Sequence, residues 1–417
     1  MLEFFQIMCC LFLTALLDFR KEHSMKTLQS IMHKPALYVI GLMSGTSTDG
    51  MDAVLTEITG QSTDIHVRQL SFLSVPYCEK ERREILRLAS GSQGGSHDLS
   101  LLHFYLGQKA LDACLALCSH AEVTPDQIDL VGSHGHTIWH IPCPEDYLGQ
   151  PVSATLQIGE ASVIAEGLGC PVISDFRVRD MAAGGLGAPL VPYTEYLLYR
   201  REDQCIGLQN IGGIANLTVI PGSASLSDVF AFDTGPGNML MDRLMEILTE
   251  GRKHFDEDGK LALSGHVSSS MLAWLLEDPY VHAPAPKTTG REHFGDPYAC
   301  RMLEYAREHH LSSADLLATA GAFTCECIHI AVHELCRIQP GELIIGGGGS
   351  RNPFLMQQLR KRLNIPILSN EDLGFDSQAK EAVAFAILAS ECLHSVCNNA
   401  PSATGAQHPV VMGKITQ

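Results

Sequence analysis

Two stretches of this 417-residue chain share a pattern that could hold an anion. The first is Gly41-Leu-Met-Ser-Gly45-Thr46-Ser47-Thr48-Asp49-Gly50-Met-Asp52, and the second runs from Leu208 through Asn210, Gly212 and Gly213 to Ile220. In each, a β-rich run enters a bend of Gly, Ser, Thr or Asn and leaves in another apolar run. Small residues at the bend leave backbone N–H groups bare, and such a concavity suits a phosphate. A carboxylate follows downstream: Asp233 ends a third apolar run and is followed by Thr-Gly235-Pro-Gly237-Asn238 and a helical pattern over 239–248. Read alone, an Asp before a helix is more often its N-cap. A late run from Glu342 to Gly349 reads as a strand ending in four glycines, Gly347 and Gly348 among them, with Asn352 just beyond. Two copies of one hairpin point to two related halves closing on a single polyphosphate, the plan of an ATP cleft.

Those residues need elements to carry them. The run 36–41 is a buried strand leading into the first bend, and 100–120 is a helix with Leu102, Tyr105, Leu106, Ala110 and Ala113 on one face. Short strands at 128–132 and 171–174 end in Ser-His134-Gly-His136 and in Asp175-Phe-Arg177-Val-Arg-Asp180, which puts polar chemistry at strand carboxyl ends, where open α/β sheets bind ligands. Helices are expected over 313–336 and 379–393. The expected organisation is an irregular extension over 1–35 and a first domain over 36–200, completed by a helix at 379–395. A second domain covers 201–378, and an irregular tail 396–417.

A formal net charge of −18 argues against a sequence-independent nucleic-acid binder, which needs clustered Lys and Arg. A nucleotide remains acceptable because N–H groups and Mg2+ supply a local positive field. The 14 cysteines are scattered through apolar surroundings and read as reduced, buried thiols rather than a disulfide framework. The apolar run 4–17 lacks a basic flank and a cleavage site and is short for a membrane span. An accessory extension, or a start upstream of a true one at Met25 or Met32, is the reading, and the expected compartment is the cytoplasm.

Taken in order, Gly41 to Asp52, Gly132-Ser-His-Gly-His-Thr-Ile138, Asp175 to Asp180, Gly184-Gly-Leu-Gly-Ala-Pro-Leu-Val-Pro192, Asn210-Ile-Gly-Gly213, Phe232-Asp-Thr-Gly-Pro-Gly-Asn238, Pro286-Lys-Thr-Thr-Gly-Arg-Glu292 and Lys380-Glu381-Ala382 resemble the anhydro-N-acetylmuramic acid kinase family. The resemblance implies an α/β fold of two related actin-like (ribonuclease-H-like) ATPase domains around a central nucleotide cleft. It implies ATP-driven phosphorylation coupled to hydrolysis of a 1,6-anhydro sugar. Asp233 matches the family's general base; His136, Asp175, Arg177, Asp180 and Glu381 match segments near the sugar. Gly45, Thr46, Ser47, Thr48, Asp49, Gly50, Asn210, Gly212, Gly213, Gly235, Gly237, Asn238, Gly347, Gly348 and Asn352 fall to ATP, with Asp49 also orienting Mg2+ through water. The implied partners are ATP and an anhydro sugar, with no nucleic acid and no membrane, and a homodimer stays open.

The chain departs from the family pattern at His136 and Leu186, where Gln is usual. Levoglucosan kinase, a relative that also carries a Trp after the His-Gly motif, therefore stays open as an alternative. A reading of another class takes His134 and His136 as zinc ligands of a hydrolase, because alternate residues of a strand share a face. It leaves both phosphate-type hairpins unexplained. A non-catalytic sugar sensor on the same fold is weakened by the presence of Asp233.

Overall fold

The computed structural model describes residues 25–45, 48–91, 94–285 and 287–417. The chain divides into two compact units: residues up to Leu198 together with Ala379–Gln417, and Tyr199–Gln378.

The first unit is built on β1 (Leu37–Ser44), β2 (Gly50–Thr59), β3 (His66–Pro76), β4 (Leu130–Tyr147), β5 (Gln150–Ile158) and β6 (Val172–Ser174). Its path is β3-β2-β1-β4-β6, with β1, β4 and β6 parallel and β2 antiparallel to both neighbours. β1 is apolar along nearly its whole length because helices cover both faces of the sheet. On one side the helix Ser96–His120 buries Leu102, Leu106, Ala110, Ala113 and Leu117, spaced at three and four residues. Against the sheet's other face the helix Lys380–Leu393 comes so close that a Cβ on Gly41 would lie 1.9 Å from Ala382 O, and one on Gly132 would lie 2.1 Å from Phe385 O. Those two glycines let the helix sit on the backbone of β1 and β4 and bring its first turn to their ends.

The second unit repeats the plan with β7 (Ile206–Ile211), β8 (Ile214–Ile220), β9 (Phe230–Pro236), β10 (Glu342–Gly346) and β11 (Ile367–Ser369). Its order is β9-β8-β7-β10-β11, again an antiparallel meander followed by two parallel strands. The repeated order is that expected of two related actin-like domains. The helix Ser313–Ile330, continued by one wider turn to Leu335, fills the core of this unit. Among the described residues it is the one helix long and apolar enough to cross a membrane, but 83% of that stretch is buried within the protein. Its apolar residues pack instead against Leu240, Leu244, Leu355 and Phe294.

Four features differ from the sequence reading. The strand expected to stop at 132 runs on through the His-Gly-His segment to Tyr147 and pairs with β5. Pro142 and Pro144 argue against a strand, yet they fall where the pairing register slips between Ile141 and Glu145. The tail is not irregular: Lys414–Thr416 pairs antiparallel with β6. Its polar residues act as backbone partners, with Asn398 donating to Leu388 O at 2.9 Å and accepting from Met412 N at 2.6 Å. Before residue 35, Leu28–Ile31 is a helical turn, and Lys26 and Lys34 reach the buried Asp129 at 2.8 and 2.5 Å. The twelve described cysteines are free, but Cys78, Cys143, Cys300 and Cys397 are exposed rather than buried. The expected apolar run 4–17 lies outside the described residues.

Candidate functional site

In the first unit, the end of β1 and the part of β4 paired with it carry a chain of hydrogen bonds. Tyr77 OH lies 2.9 Å from Ser44 Oγ, which in turn shares a hydrogen bond of 2.9 Å with His136 Nδ1. His136 is only 2% exposed, and burial holds its pKa below the usual imidazole value. Two residues back, His134 Nδ1 donates to Gly135 O at 2.9 Å, which leaves Nε2 as an acceptor, and Arg177 Nε donates to it at 3.1 Å. That pairing requires neutral imidazole. Burial first and the Arg177 charge second push His134 down to about 3. A lone pair already taken by a guanidinium is not available to a cation, so the geometry does not favour zinc at His134 and His136. Among the described residues no group of three or more His, Cys, Asp or Glu is arranged to hold a metal ion.

Arg177 is fixed at a second point, donating to Gly187 O at 2.7 Å, and its own pKa is lowered by burial, partly offset by Glu381. Glu381 is an exposed residue in the first turn of the helix Lys380–Leu393. Burial raises its pKa and Asp52 adds to the effect, while Lys380 and Arg177 oppose it. A carboxyl and a guanidinium poised this way can read hydroxyl and acid groups of a small polar ligand.

Two of the expected sugar contacts are engaged otherwise. Asp180 is fully buried; its Oδ1 accepts from Asn399 Nδ2 and Thr404 Oγ1, both at 2.8 Å, and its Oδ2 accepts from Gly187 N at 2.9 Å. It braces the 183–187 loop against the C-terminal segment, from behind Arg177. Asp175 sits at φ 55° before the helix Phe176–Ala182 and pairs with Lys414 at 2.8 Å. Sequence could not show either partner, because both lie more than 200 residues away in a stretch that reads as tail.

Of the first phosphate bend, Thr46 and Ser47 lie outside the described residues. Thr48 is buried at φ 57° and its N–H donates to Gly45 O at 3.0 Å. The Asp49 carboxylate is 75% exposed and 3.6 Å from Arg82. Gly50 is a packing residue, since a Cβ there would lie 2.5 Å from Val75 O on β3.

In the second unit, the β7–β8 bend caps a helix. Gly237 N and Met239 N donate to Gly213 O at 2.9 and 3.2 Å, and Asn238 N donates to Gly212 O at 2.7 Å. A Cβ on Gly237 would lie 2.1 Å from Gly212 O, so only glycine permits this closure. Gly235, at φ 152°, backs onto Cys327. Asn210 stands beside Gly347, which adopts φ 79°. Asn352 is the N-cap of the helix Pro353–Arg362, its Oδ1 accepting from Phe354 N at 3.0 Å and Leu355 N at 3.4 Å. Asn238, Gly348 and Asn352 nonetheless line one cavity of about 510 Å³, together with Asp242 and Arg351. Sequence reasoning missed Asp242, one helical turn after Asn238; burial and the nearby Glu246 push it up to about 6.

Asp233 is in β9 and does not cap the helix Met239–Leu248, whose N-cap is Asn238. Its Oδ2 accepts from Thr288 Oγ1 at 2.8 Å and Thr289 N at 2.9 Å, and its main-chain O accepts from Tyr280 OH at 2.8 Å. Oδ1 has no hydrogen-bond partner among the described residues. One oxygen is thus held by two donors and the other by none of the described residues.

Residues 37–417 match the sequence profile of the family described as anhydro-N-acetylmuramic acid kinase. A protein of that name from Caldanaerobacter subterraneus is 47% identical over 395 residues, spanning 94% of this chain and all of its own. Another from Bacillus cereus is 42% identical over 385 residues, 91% of this chain and 99% of its own. Among solved structures, the ADPNP-bound activator of 2-hydroxyisocaproyl-CoA dehydratase from Clostridium difficile aligns over 86% of this chain and 96% of its own, at 12% identity and a TM-score of 0.41. With a family profile spanning both units and relatives matched end to end, the chain belongs to the anhydro-N-acetylmuramic acid kinase family.

Proposed function

We propose that this protein is an ATP-dependent sugar kinase that opens the 1,6-anhydro ring of anhydro-N-acetylmuramic acid with water and phosphorylates O6. The observation that carries the mechanism is the asymmetry of Asp233, with one carboxylate oxygen held by two donors and the other without a partner among the described residues. Asp233 takes a proton from the attacking water as the water oxygen bonds to C1. The C1–O6 bond breaks, O6 bonds to the γ-phosphorus of ATP, and ADP departs; the proton left on Asp233 is then released to solvent. Phosphoryl transfer needs positioning and charge neutralisation more than covalent help. Asn210, Gly212, Gly213 and Gly235 are the residues assigned to phosphate in the second unit, and Gly45, Thr46, Ser47, Thr48 and Gly50 in the first. The cavity lined by Asn238, Gly348 and Asn352, with Gly347 next in the chain, has room for the nucleoside.

Arg177 and Glu381 are the assigned sugar contacts in the first unit, with His136 and Asp175 beside them and Asp180 holding the loop that anchors Arg177. For Mg2+, the exposed Asp49 carboxylate is the kind of hard oxygen donor the ion takes through water. When bound, Mg2+ would neutralise phosphate charge. Levoglucosan and zinc-dependent hydrolysis lose ground to relatives of 42–47% identity named for the muramic acid sugar. The proposed compartment is the cytoplasm, where ATP is made.

The test is ATP consumption with anhydro-N-acetylmuramic acid, levoglucosan and glucose in parallel, with the product identified by mass. The expected result is turnover of the muramic acid sugar and a product heavier by one phosphoryl group and one water. Turnover of glucose alone would overturn the proposal, because an ordinary hydroxyl kinase needs no water.

A further inference from the structure

The motif Lys287-Thr288-Thr289-Gly290 has no part in the reaction as described so far, yet it closes on Asp233 from several directions. Asp233 N donates to Lys287 O at 2.9 Å. Thr288 Oγ1 and Thr289 N both donate to Asp233 Oδ2, at 2.8 and 2.9 Å. Tyr280 OH holds the Asp233 carbonyl at 2.8 Å, and Lys287 Nζ ties the loop to itself, donating to Tyr280 O at 2.8 Å and Val281 O at 2.9 Å while lying 4.5 Å over the Tyr280 ring. The backbone bonds fix where Asp233 sits. Among the described residues only the Thr288 hydroxyl and the Thr289 amide fix how its carboxylate is turned.

We propose that Thr288 is a positioning residue for the general base: with the Thr289 amide it pins Oδ2, sets the carboxylate plane, and leaves Oδ1 as the oxygen that receives the proton of the attacking water. The inference rests on Asp233 being that base. The torsion about the last bond of an Asp side chain is broad, with two equivalent oxygens, so an unpinned carboxylate presents either oxygen over a range of angles. Proton transfer in the transition state is sensitive to such misplacement, and an error of about 1 Å costs on the order of 100-fold. Two donors on the same oxygen are the arrangement that removes this freedom. A loop anchor alone would be served as well by one bond to each oxygen, which would block the base.

Thr288 is exposed, so its replacement is not expected to unfold the protein. The experiment is steady-state and single-turnover kinetics, with anhydro-N-acetylmuramic acid and γ-labelled ATP, on wild type, Thr288→Val, Thr288→Ser, Asp233→Asn and the double variant Thr288→Val/Asp233→Asn. Thr288→Val is expected to lower kcat about 10- to 100-fold with both KM values within about twofold, and Thr288→Ser, which keeps the hydroxyl, to stay within about threefold of wild type. In the Asp233→Asn background Thr288→Val should cost nothing further, because Thr288 acts through the carboxylate. An unchanged kcat in Thr288→Val, a loss confined to KM, no rescue by Ser, or the same fold-loss in the Asp233→Asn background would each overturn the positioning role. Full activity in Asp233→Asn would instead remove Asp233 as the base, and the inference with it.

Discussion

Where β4 passes the end of β1 the first unit places Ser133, His134, Gly135 and His136, and it fills the space they border with Arg177 and the side chain of Phe385, 4.7 Å from the His134 ring. At the end of β10, the strand in the same position of the second sheet, stand glycines 346–349, and the space beside Gly348 is a cavity of about 510 Å³. The first unit therefore spends its strand ends on side chains locked to one another. The second presents backbone and room. Side chains with fixed tautomers and charges suit a small ligand read group by group, whereas a phosphate chain and a nucleoside ask for N–H groups and volume. The two aspartates of greatest interest follow the same division: Asp180 has both oxygens occupied by the protein, Asp233 only one.

Exchanging each of these aspartates for a residue that cannot ionise separates the two uses most sharply. Asp233→Asn keeps the shape and both accepting contacts of the side-chain oxygen but cannot take a proton. Its kcat is expected to fall about 10²–10⁴-fold, with ATP affinity by calorimetry and the melting temperature nearly unchanged. Asp180→Ala should do the reverse. It leaves Asn399 Nδ2, Thr404 Oγ1 and Gly187 N without their acceptor in a fully buried place, a loss of about 2–4 kcal/mol in urea unfolding. A stable Asp180→Ala protein that fails only to bind sugar would return Asp180 to the ligand contacts.

A smaller effect comes from the neutral histidine of the first unit. His134 is held at about 3 against 6.5 for a free imidazole, so between those values the unfolded chain binds a proton that the folded chain refuses. Its contribution is complete above about pH 6.5 and is lost as pH falls toward 3. Glu381 works in the opposite sense, since its raised pKa favours the folded state in acid. Comparing wild type with His134→Asn cancels the Glu381 contribution. The difference in unfolding free energy between them should therefore depend on pH only below about 6.5. A pH-independent difference would mean that His134 is not neutral by virtue of its burial and Arg177.

Much of this arrangement was legible in the chain, and the limits are physical. The glycine bends and the Asp233 run could be placed because local chemistry sets them: small residues mark bends, and period and β-branching mark the strands on either side. The β7–β8 hairpin and the helix Met239–Leu248 fall where those signals put them. What could not be read is whatever depends on a distant partner. Asp175 and Asp180 carry the same residue type as a ligand contact, and it is Lys414, Asn399 and Thr404, far along the chain, that take the Asp175 carboxylate and the Oδ1 of Asp180. The tail read as irregular because its Asn, Thr and Gly are turn formers; here their amides and hydroxyls replace main-chain partners instead. Thr288 was legible only as part of the 286–292 motif and received no role, because nothing local marks a threonine that will meet a carboxylate 55 residues earlier.

The smallest expected effect is at His136, and it tests whether the locked side chains of the first unit touch the ligand or only support one another. His136 Nδ1 is engaged with Ser44, which also meets Tyr77, and the ring is nearly inaccessible from outside the protein. Burial lowers its pKa and so disfavours the charged ring, and the neutral ring can still donate or accept a hydrogen bond. A Gln amide can both donate and accept in the same way. His136→Gln is therefore expected to keep the sugar KM within about twofold, and to remove any change in activity that wild type shows below about pH 6.5 from this ring. His136→Ala removes the bond to Ser44 and whatever the far nitrogen holds. One ordinary hydrogen bond of about 1 kcal/mol corresponds to roughly a fivefold rise in sugar KM. Measured side by side, a rise in Ala that Gln repairs puts His136 in the recognition of the sugar. An unchanged KM in His136→Ala makes the ring a packing residue, and recognition in the first unit then begins at Arg177 and Glu381.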